Sequence, residues 1–295
     1  MGSSKTIKEA VAAASYFIDL ARPYNAPAAL LPFFISYFFY DPVVNWQDII
    51  VGFLLIVILH SVFTIQNDIL DLEIDKSNHR STPLTNGLVS SQSLRQTMIN
   101  LYIVSVFIAS FGSNKELNIG FVLLYSALAW AYNSPPIQAS RRPILSITLL
   151  GFLYSALLLA FGFLLSGRGI NVLILVLFML ARMSISILKD FKDAPGDKKN
   201  NKRTFYLVYG QTATKTFSLL MAAICYPLII WLIVSHLELG GLAISALVFI
   251  GFVNIYNRLL LLKTDSESQL AKIFRKSFWL ENYYETMVLV CLVIY

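Results

Sequence analysis

Charge is scarce in this sequence. Asp, Glu, Lys and Arg make up 14% of its 295 residues, against about 25% in an ordinary soluble domain. That shortage excludes a water-soluble globular chain of the usual kind. Its two cysteines, Cys225 and Cys291, both lie in apolar segments, so they read as packing residues and not as a disulfide or a metal pair. The three histidines, His60, His79 and His236, are far apart and lack ligand spacing, which leaves no zinc or haem site. No hydrophilic domain, strand alternation or soluble-repeat period appears. The net charge of +6 is explained by membrane topology, and no nucleic-acid partner is read from it.

What is present is apolar. Hydrophobic residues make up 57% of the chain, and the mean hydropathy is +0.66. A membrane helix needs ~20 apolar residues. Candidate spans fall at about 16–39, 48–66, 94–112, 118–134, 144–165, 170–188, 213–235, 239–261 and 278–295. The expected fold is therefore all-α and polytopic: a single membrane domain over 1–295, with nine transmembrane helices around a central cavity and lipid outside. The turns on one side are nearly free of cations: 40–47 and 236–238 carry none, 113–117 has Lys115, and 166–169 has Arg168. The other side holds Lys5, Lys8, Lys76, Arg80, Arg141, Arg142, Lys198, Lys199, Lys202 and Arg203, among others. By the positive-inside rule that side is cytosolic, with the N-terminus. The polar start shows no secretory signal pattern.

Two acidic runs organise this chain. Asn67-Asp68-Ile69-Leu70-Asp71-Leu72-Glu73-Ile74-Asp75 follows the apolar segment 49–63. The i, i+3, i+7 spacing of Asp68, Asp71 and Asp75 places them on one helical face. Lys189-Asp190-Phe191-Lys192-Asp193-Ala194-Pro195-Gly196-Asp197 follows 170–188 and repeats that spacing in Asp190, Asp193 and Asp197. Stacked like charges repel, and they are tolerable only with shared cations or good hydration. Two such clusters, each at the mouth of a span on the cytosolic side, suit Mg²⁺ and a diphosphate. Pro195-Gly196 is expected to break its helix and present Asp197 from a turn.

Other polar residues are weighed against plainer roles. Arg22 reads equally as an interfacial anchor or a site residue, whereas Asn25 sits deeper, where an amide needs a partner. Pro27 and Pro32 imply a kink that opens room in a bundle. The stretch 76–87, which includes Arg80, is a polar loop, preferred here as a lid carrying cations for phosphate. Tyr132 and Arg141 divide evenly between a site and an interfacial anchor. Arg182, Ser186, Lys189, Asp190 and Asp193 form one helical stripe, and a buried Arg182 must pair with a carboxylate or reach a ligand anion. Lys202 belongs to a basic loop, 198–204, suited to holding phosphate. Tyr226 reads as packing, Asn254, Tyr256, Asn257 and Arg258 as weaker site candidates, and Glu281 and Glu285 as partners for basic neighbours such as Lys276.

These motifs resemble the UbiA superfamily of intramembrane prenyltransferases. Asn67-Asp68-x-x-Asp71-x-x-x-Asp75 looks like the family's first motif, and Asp190-x-x-Asp193-x-x-x-Asp197, with Lys189 before it, like the second. Arg22-x-x-Asn25 and Tyr132-x-Ser134-Pro135-Pro136 are similar to further family features. The resemblance implies Mg²⁺-dependent transfer of an isoprenyl group from a prenyl diphosphate to an aromatic or lipid-soluble acceptor. Asp68, Asp71, Asp190 and Asp193 would then hold Mg²⁺ and diphosphate, with Asn67, Asp75 and Asp197 assisting. Lys189 would touch diphosphate, and Asn25 would lie near the acceptor. Tyr132 and Tyr24 would flank the allylic cation. Thr82, Gln138 and Ser140 depart from the family, whose members often carry basic residues there. Cyclisation or hydrolysis of the same diphosphate without an acceptor is the rival enzymatic reading. A cation-coupled transporter is the rival of another class, disfavoured because its acids would lie near the bilayer midplane.

Overall fold

The structure is a computed structural model that describes residues 25–40 and 43–295. Arg22 and Tyr24 lie outside the described residues. Among those described, all regular structure is helical, with no strand. The helices are α1 (Pro27–Phe38), α2 (Trp46–Leu70), α3 (Leu72–Ser77), α4 (Ser91–Ala109), α5 (Lys115–Asn133), α6 (Pro143–Leu165), α7 (Val172–Ser186), α8 (Asp190–Lys199), α9 (Phe205–His236), α10 (Gly241–Leu261) and α11 (Glu267–Ile294). Within the described residues, each apolar segment expected from the sequence falls on one of these helices; the first half of the segment at 16–39 lies outside them. By length and apolarity together, α2, α6, the continuous α7–α8 stretch, α9 and α10 qualify to cross a membrane. Large apolar side chains such as Ile103, Phe107, Leu123, Phe249 and Phe252 point outward and are more than half exposed. An exterior of that kind suits lipid.

Local chemistry sets the helix ends. The Asn45 side chain accepts from the backbone N–H groups of Gln47 and Asp48 and starts α2. Ser90, Asn114 and Asn171 cap α4, α5 and α7 in the same way. α6 widens into a π turn at Phe152–Ala156, beside the cavity described below. α9 breaks at Gly210, whose φ of 82° and ψ of 175° suit glycine alone.

Prolines behave in two ways. Pro32 lies inside α1 without ending it. Having no N–H, it leaves the Ala28 carbonyl without its helical donor, and the Arg182 guanidinium donates to that oxygen at 3.2 Å. Pro195 does not break its helix: α8 runs through it to Lys199, and Asp197 is helical, contrary to the turn expected. A 3₁₀ turn at Ile187–Lys189 precedes this helix. The break falls in the first motif instead. Asp71 caps α2 and α3 begins at Leu72, so Asp68, Asp71 and Asp75 do not share one straight helix.

Two close contacts position the site. Gly162 in α6 lies against α1, where a Cβ would meet the Phe33 carbonyl at 2.4 Å and Ser36 Oγ at 2.1 Å. Small residues at such crossings let membrane helices approach closely. Asn78, just after α3, clamps α8. Its Nδ2 donates to the Asp193 carbonyl (3.2 Å), and its Oδ1 accepts from the Gly196 N–H (2.7 Å). Gly196 is required there, because a Cβ would stand 2.4 Å from Asn78 Nδ2.

Gly162→Ala is expected to cost about 1–3 kcal/mol by overpacking and to lower the melting temperature in detergent. Gly120→Ala, whose added methyl meets nothing within 4 Å, should leave it within about 0.5 kcal/mol. Asn78→Ala should cost about 2 kcal/mol through its two lost hydrogen bonds.

Candidate active site

A cavity of about 260 Å³ lies between α1, α2, α5, α6, α7, α8 and α11. It is lined at one part by Asn67, Arg80, Tyr132, Lys189, Lys192 and Asp193. Elsewhere the lining includes Asn25, Ala28, Arg182, Ser186, Phe274 and Phe278, together with His60, Phe63, Thr64 and Tyr154. One part is thus ionic, and the rest mixes apolar side chains with polar ones.

The acids of the two motifs meet through cations. Lys202 Nζ lies 2.8 Å from Asp71 Oδ2 and 3.7 Å from Asp197 Oδ1, so one ammonium joins the first motif to the second. Burial lowers the pKa of Lys202, but Asp71 and Asp197 outweigh it and hold the ammonium above the ordinary lysine range. Arg80 lies 2.9 Å from Asp75 Oδ2 and 3.5 Å from Asp68 Oδ1. Lys192 lies 3.6 Å from Asp193. Asp68, Asp190 and Asp197 are buried. The sequence expectation that both clusters share one place therefore holds. Arg80 and Lys202, however, already sit on carboxylates and are not held apart for phosphate.

Neutral groups complete the arrangement. Asn67 Nδ2 donates to Asp71 Oδ2 at 3.1 Å and to Asn133 Oδ1 at 3.2 Å. Gln66 donates to Ser134 Oγ at 3.2 Å, which ties the turn after α5 to α2. Lys189 donates to the Tyr132 hydroxyl at 2.9 Å, and its Nζ lies 5.6 Å from the centre of that ring. Tyr132 is buried, which removes the interfacial-anchor reading. Arg141 is half-buried and not part of the lining, so the structure does not bring it to the cavity. Asn25 does line it.

Deeper charges follow a different plan. Arg182 Nη2 lies 2.7 Å from Glu285 Oε1, with both side chains buried. Glu281 accepts from the Tyr226 hydroxyl, which lies 3.4 Å from Arg258 Nη2. Neither glutamate is paired with Lys276 as expected: both are buried, Glu285 against the Arg182 guanidinium and Glu281 against the Tyr226 hydroxyl. Tyr226 is accordingly part of a polar network and not simple packing. Asn254 and Asn257 are held in the same layer by backbone and side-chain bonds, and Tyr256 is about half exposed. Sequence reasoning missed Asn78, Gln66 and Asn133. Each adjoins a motif, but nothing in their spacing distinguishes them from ordinary polar residues.

The residues suit a divalent cation. Six carboxylates share Arg80, Lys189, Lys192 and Lys202, which leaves the ionic part with excess negative charge in a largely buried place. Carboxylate oxygens are the ligands that hard cations take. Among the described residues, no three His, Cys, Asp or Glu side chains form a ready cation cage by themselves. Lys202 and Arg80 lie between the acids.

The model of the UbiA prenyltransferase family matches residues 29–281. Digeranylgeranylglyceryl phosphate synthase of Methanoculleus marisnigri is 24% identical over 206 residues, covering 69% of this chain and 72% of that one. Homogentisate phytyltransferase of Synechocystis is 28% identical over 221 residues, covering 66% and 70%. Among solved structures, a UbiA homolog from Aeropyrum pernix superposes with a TM-score of 0.72 at 16% identity, covering 92% of this chain and 98% of that one. A UbiA homolog from Archaeoglobus fulgidus, solved with GPP and Mg²⁺, superposes with a TM-score of 0.67 at 18% identity, covering 93% and 99%. The fold, the two acidic motifs that Lys202 joins, and a family match over most of the chain lead to one conclusion: this chain belongs to the UbiA prenyltransferase family.

Proposed function

We propose that this prenyltransferase moves an isoprenyl group from a prenyl diphosphate to an aromatic or lipid-soluble acceptor inside the membrane and releases diphosphate. The observation that carries this reading is the meeting of Asp71 and Asp197 on Lys202, 131 residues from Asp71 in the chain. The solved A. fulgidus relative binds GPP and Mg²⁺, and the named relatives above are prenyl-transferring enzymes by their names. Nine transmembrane helices, with the acids and the N-terminus on the cytosolic side, would bring a soluble diphosphate head to the ionic part and its tail into lipid-like surroundings.

The roles divide along the cavity. Asp68, Asp71, Asp190 and Asp193 would hold Mg²⁺, with Asp75, Asp197 and Asn67 supporting them. When bound, Mg²⁺ would supply Lewis-acid stabilisation of the leaving diphosphate. Lys189, whose ammonium faces the cavity from the Tyr132 hydroxyl, would donate to a diphosphate oxygen. Arg80 and Lys202 would turn from carboxylate to diphosphate once other cations share those acids. The ring faces of Tyr132, Phe63 and Tyr154 would shield the allylic carbon from water and meet its developing positive charge. Asn25, Ser186 and Arg182, on the other walls, would orient the acceptor. Ser134 would act through Gln66 by fixing the turn that follows Tyr132.

Asp71→Asn and Asp190→Asn should each lower diphosphate release by ~100-fold or more, the usual effect of removing one group that stabilises developing charge. Single-turnover assays on protein in detergent, with Mg²⁺, a prenyl diphosphate and a panel of acceptors, measure this. Release that persists in either variant would contradict the assignment. Release at an unchanged rate without any acceptor, with a cyclic or hydrolysed product, would favour acceptor-free chemistry.

A further inference from the structure

The two acidic segments end in the same way. Asn78 closes α3, His79 turns into the left-handed region at a φ of 52°, and Arg80 follows. The His79 N–H donates to the Lys76 carbonyl at 3.1 Å, and the Arg80 N–H to the Asp75 carbonyl at 2.9 Å. Asn200 closes α8, Asn201 takes the same φ of 52°, and Lys202 follows. The Asn201 N–H donates to the Lys198 carbonyl at 3.2 Å, and the Lys202 N–H to the Asp197 carbonyl at 2.8 Å. Both pairs of bonds are those of a Schellman helix end. The sequence carries the repeat: Asp75-Lys76-Ser77-Asn78-His79-Arg80 matches Asp197-Lys198-Lys199-Asn200-Asn201-Lys202. In each, the last acid of the segment is followed, past a left-handed residue, by a cation folded back over it. The two ends are also laced together. Asn78 bonds the Asp193 carbonyl and the Gly196 N–H, and Asn200 Nδ2 donates to Ser77 Oγ at 3.3 Å.

Each cation then reaches a second acid. Arg80 Nη1 lies 2.9 Å from Asp75 Oδ2 and 3.5 Å from Asp68 Oδ1. Lys202 Nζ lies 3.7 Å from Asp197 Oδ1 and 2.8 Å from Asp71 Oδ2, with its side chain only 11% exposed. Among the described residues, Asp197 Oδ1 is buried without a hydrogen-bond partner, and at 3.7 Å Lys202 is too far to be one.

On the reading that these acids hold a divalent metal together with a diphosphate, we infer that Lys202 and Arg80 are built-in counter-ions that compete with the metal for the acids. A divalent cation among the same carboxylates would meet a like charge at short range while they stay in place. Without an anion to receive the two side chains they do stay, and metal alone binds weakly. A diphosphate is such an anion, with oxygens that both cations can bond. Metal and diphosphate therefore enter together. The main chain at Arg80 and Lys202 stays pinned by its helix-end bonds, and the long side chains alone move.

The test is manganese affinity, read by electron paramagnetic resonance on the full-length protein in detergent, with and without an uncleavable prenyl thiodiphosphate. Without the analogue, Lys202→Met should bind manganese about tenfold more tightly than the wild type, because the competing charge is gone. With the analogue it should bind less tightly than the wild type, because the diphosphate has lost a partner. A merely structural loss would weaken binding in both conditions. Arg80→Met should show the same reversal, and it decides the matter if Lys202→Met does not fold. Lys202→Arg, which keeps the charge, should not tighten binding. Manganese affinity that is unchanged or weaker in the methionine variants without the analogue overturns the inference. Absence of bound manganese from the wild type even with the analogue overturns the metal–diphosphate reading itself.

Discussion

Six carboxylates cannot be gathered from two distant segments into one partly buried place unless cations come with them. Everything near the cavity follows from that constraint. Lys202 lies between Asp71 and Asp197, and Arg80 lies between Asp68 and Asp75. The backbone supports the same meeting through Asn78, which bonds the carbonyl of Asp193 and the N–H of Gly196. Attraction in a low-dielectric setting is strong but conditional: each acid stabilises the site only while a cation is at hand. Lys202 and Arg80 fill the place between the acids that a cation must fill.

The deeper polar layer obeys the same rule with a different outcome. There, Arg182 and Arg258 lie among Glu281, Glu285, Tyr226 and Asn254. The bundle closes this set on itself. Pro32 contributes through an absence, since its missing N–H leaves a carbonyl that Arg182 then uses. The cavity touches both, with the acids and their cations at one part and Arg182, held by Glu285, at another.

Much of this was legible in the sequence because its signals are local and periodic. Apolar stretches of membrane length marked the helices, and the repeated i, i+3, i+7 acids marked the two segments that Lys202 joins. What sequence spacing did not give was the direction of single side chains. Asp197 stays helical although Pro195 stands two residues before it. The first motif bends at Asp71 although nothing in it breaks a helix by propensity. Glu285 meets Arg182 across 103 residues, a pairing that no spacing rule reaches. Tyr132 is an interfacial residue by position along its helix and a cavity residue only by its rotation.

The central claim is that both acidic segments bind one metal–diphosphate group together. Manganese binding followed by electron paramagnetic resonance, in the presence of an uncleavable prenyl thiodiphosphate, tests it directly. The account predicts that Asp68→Asn on the first segment and Asp193→Asn on the second each weaken the bound-manganese signal to a similar degree. Manganese that binds with unchanged affinity after either substitution would contradict it.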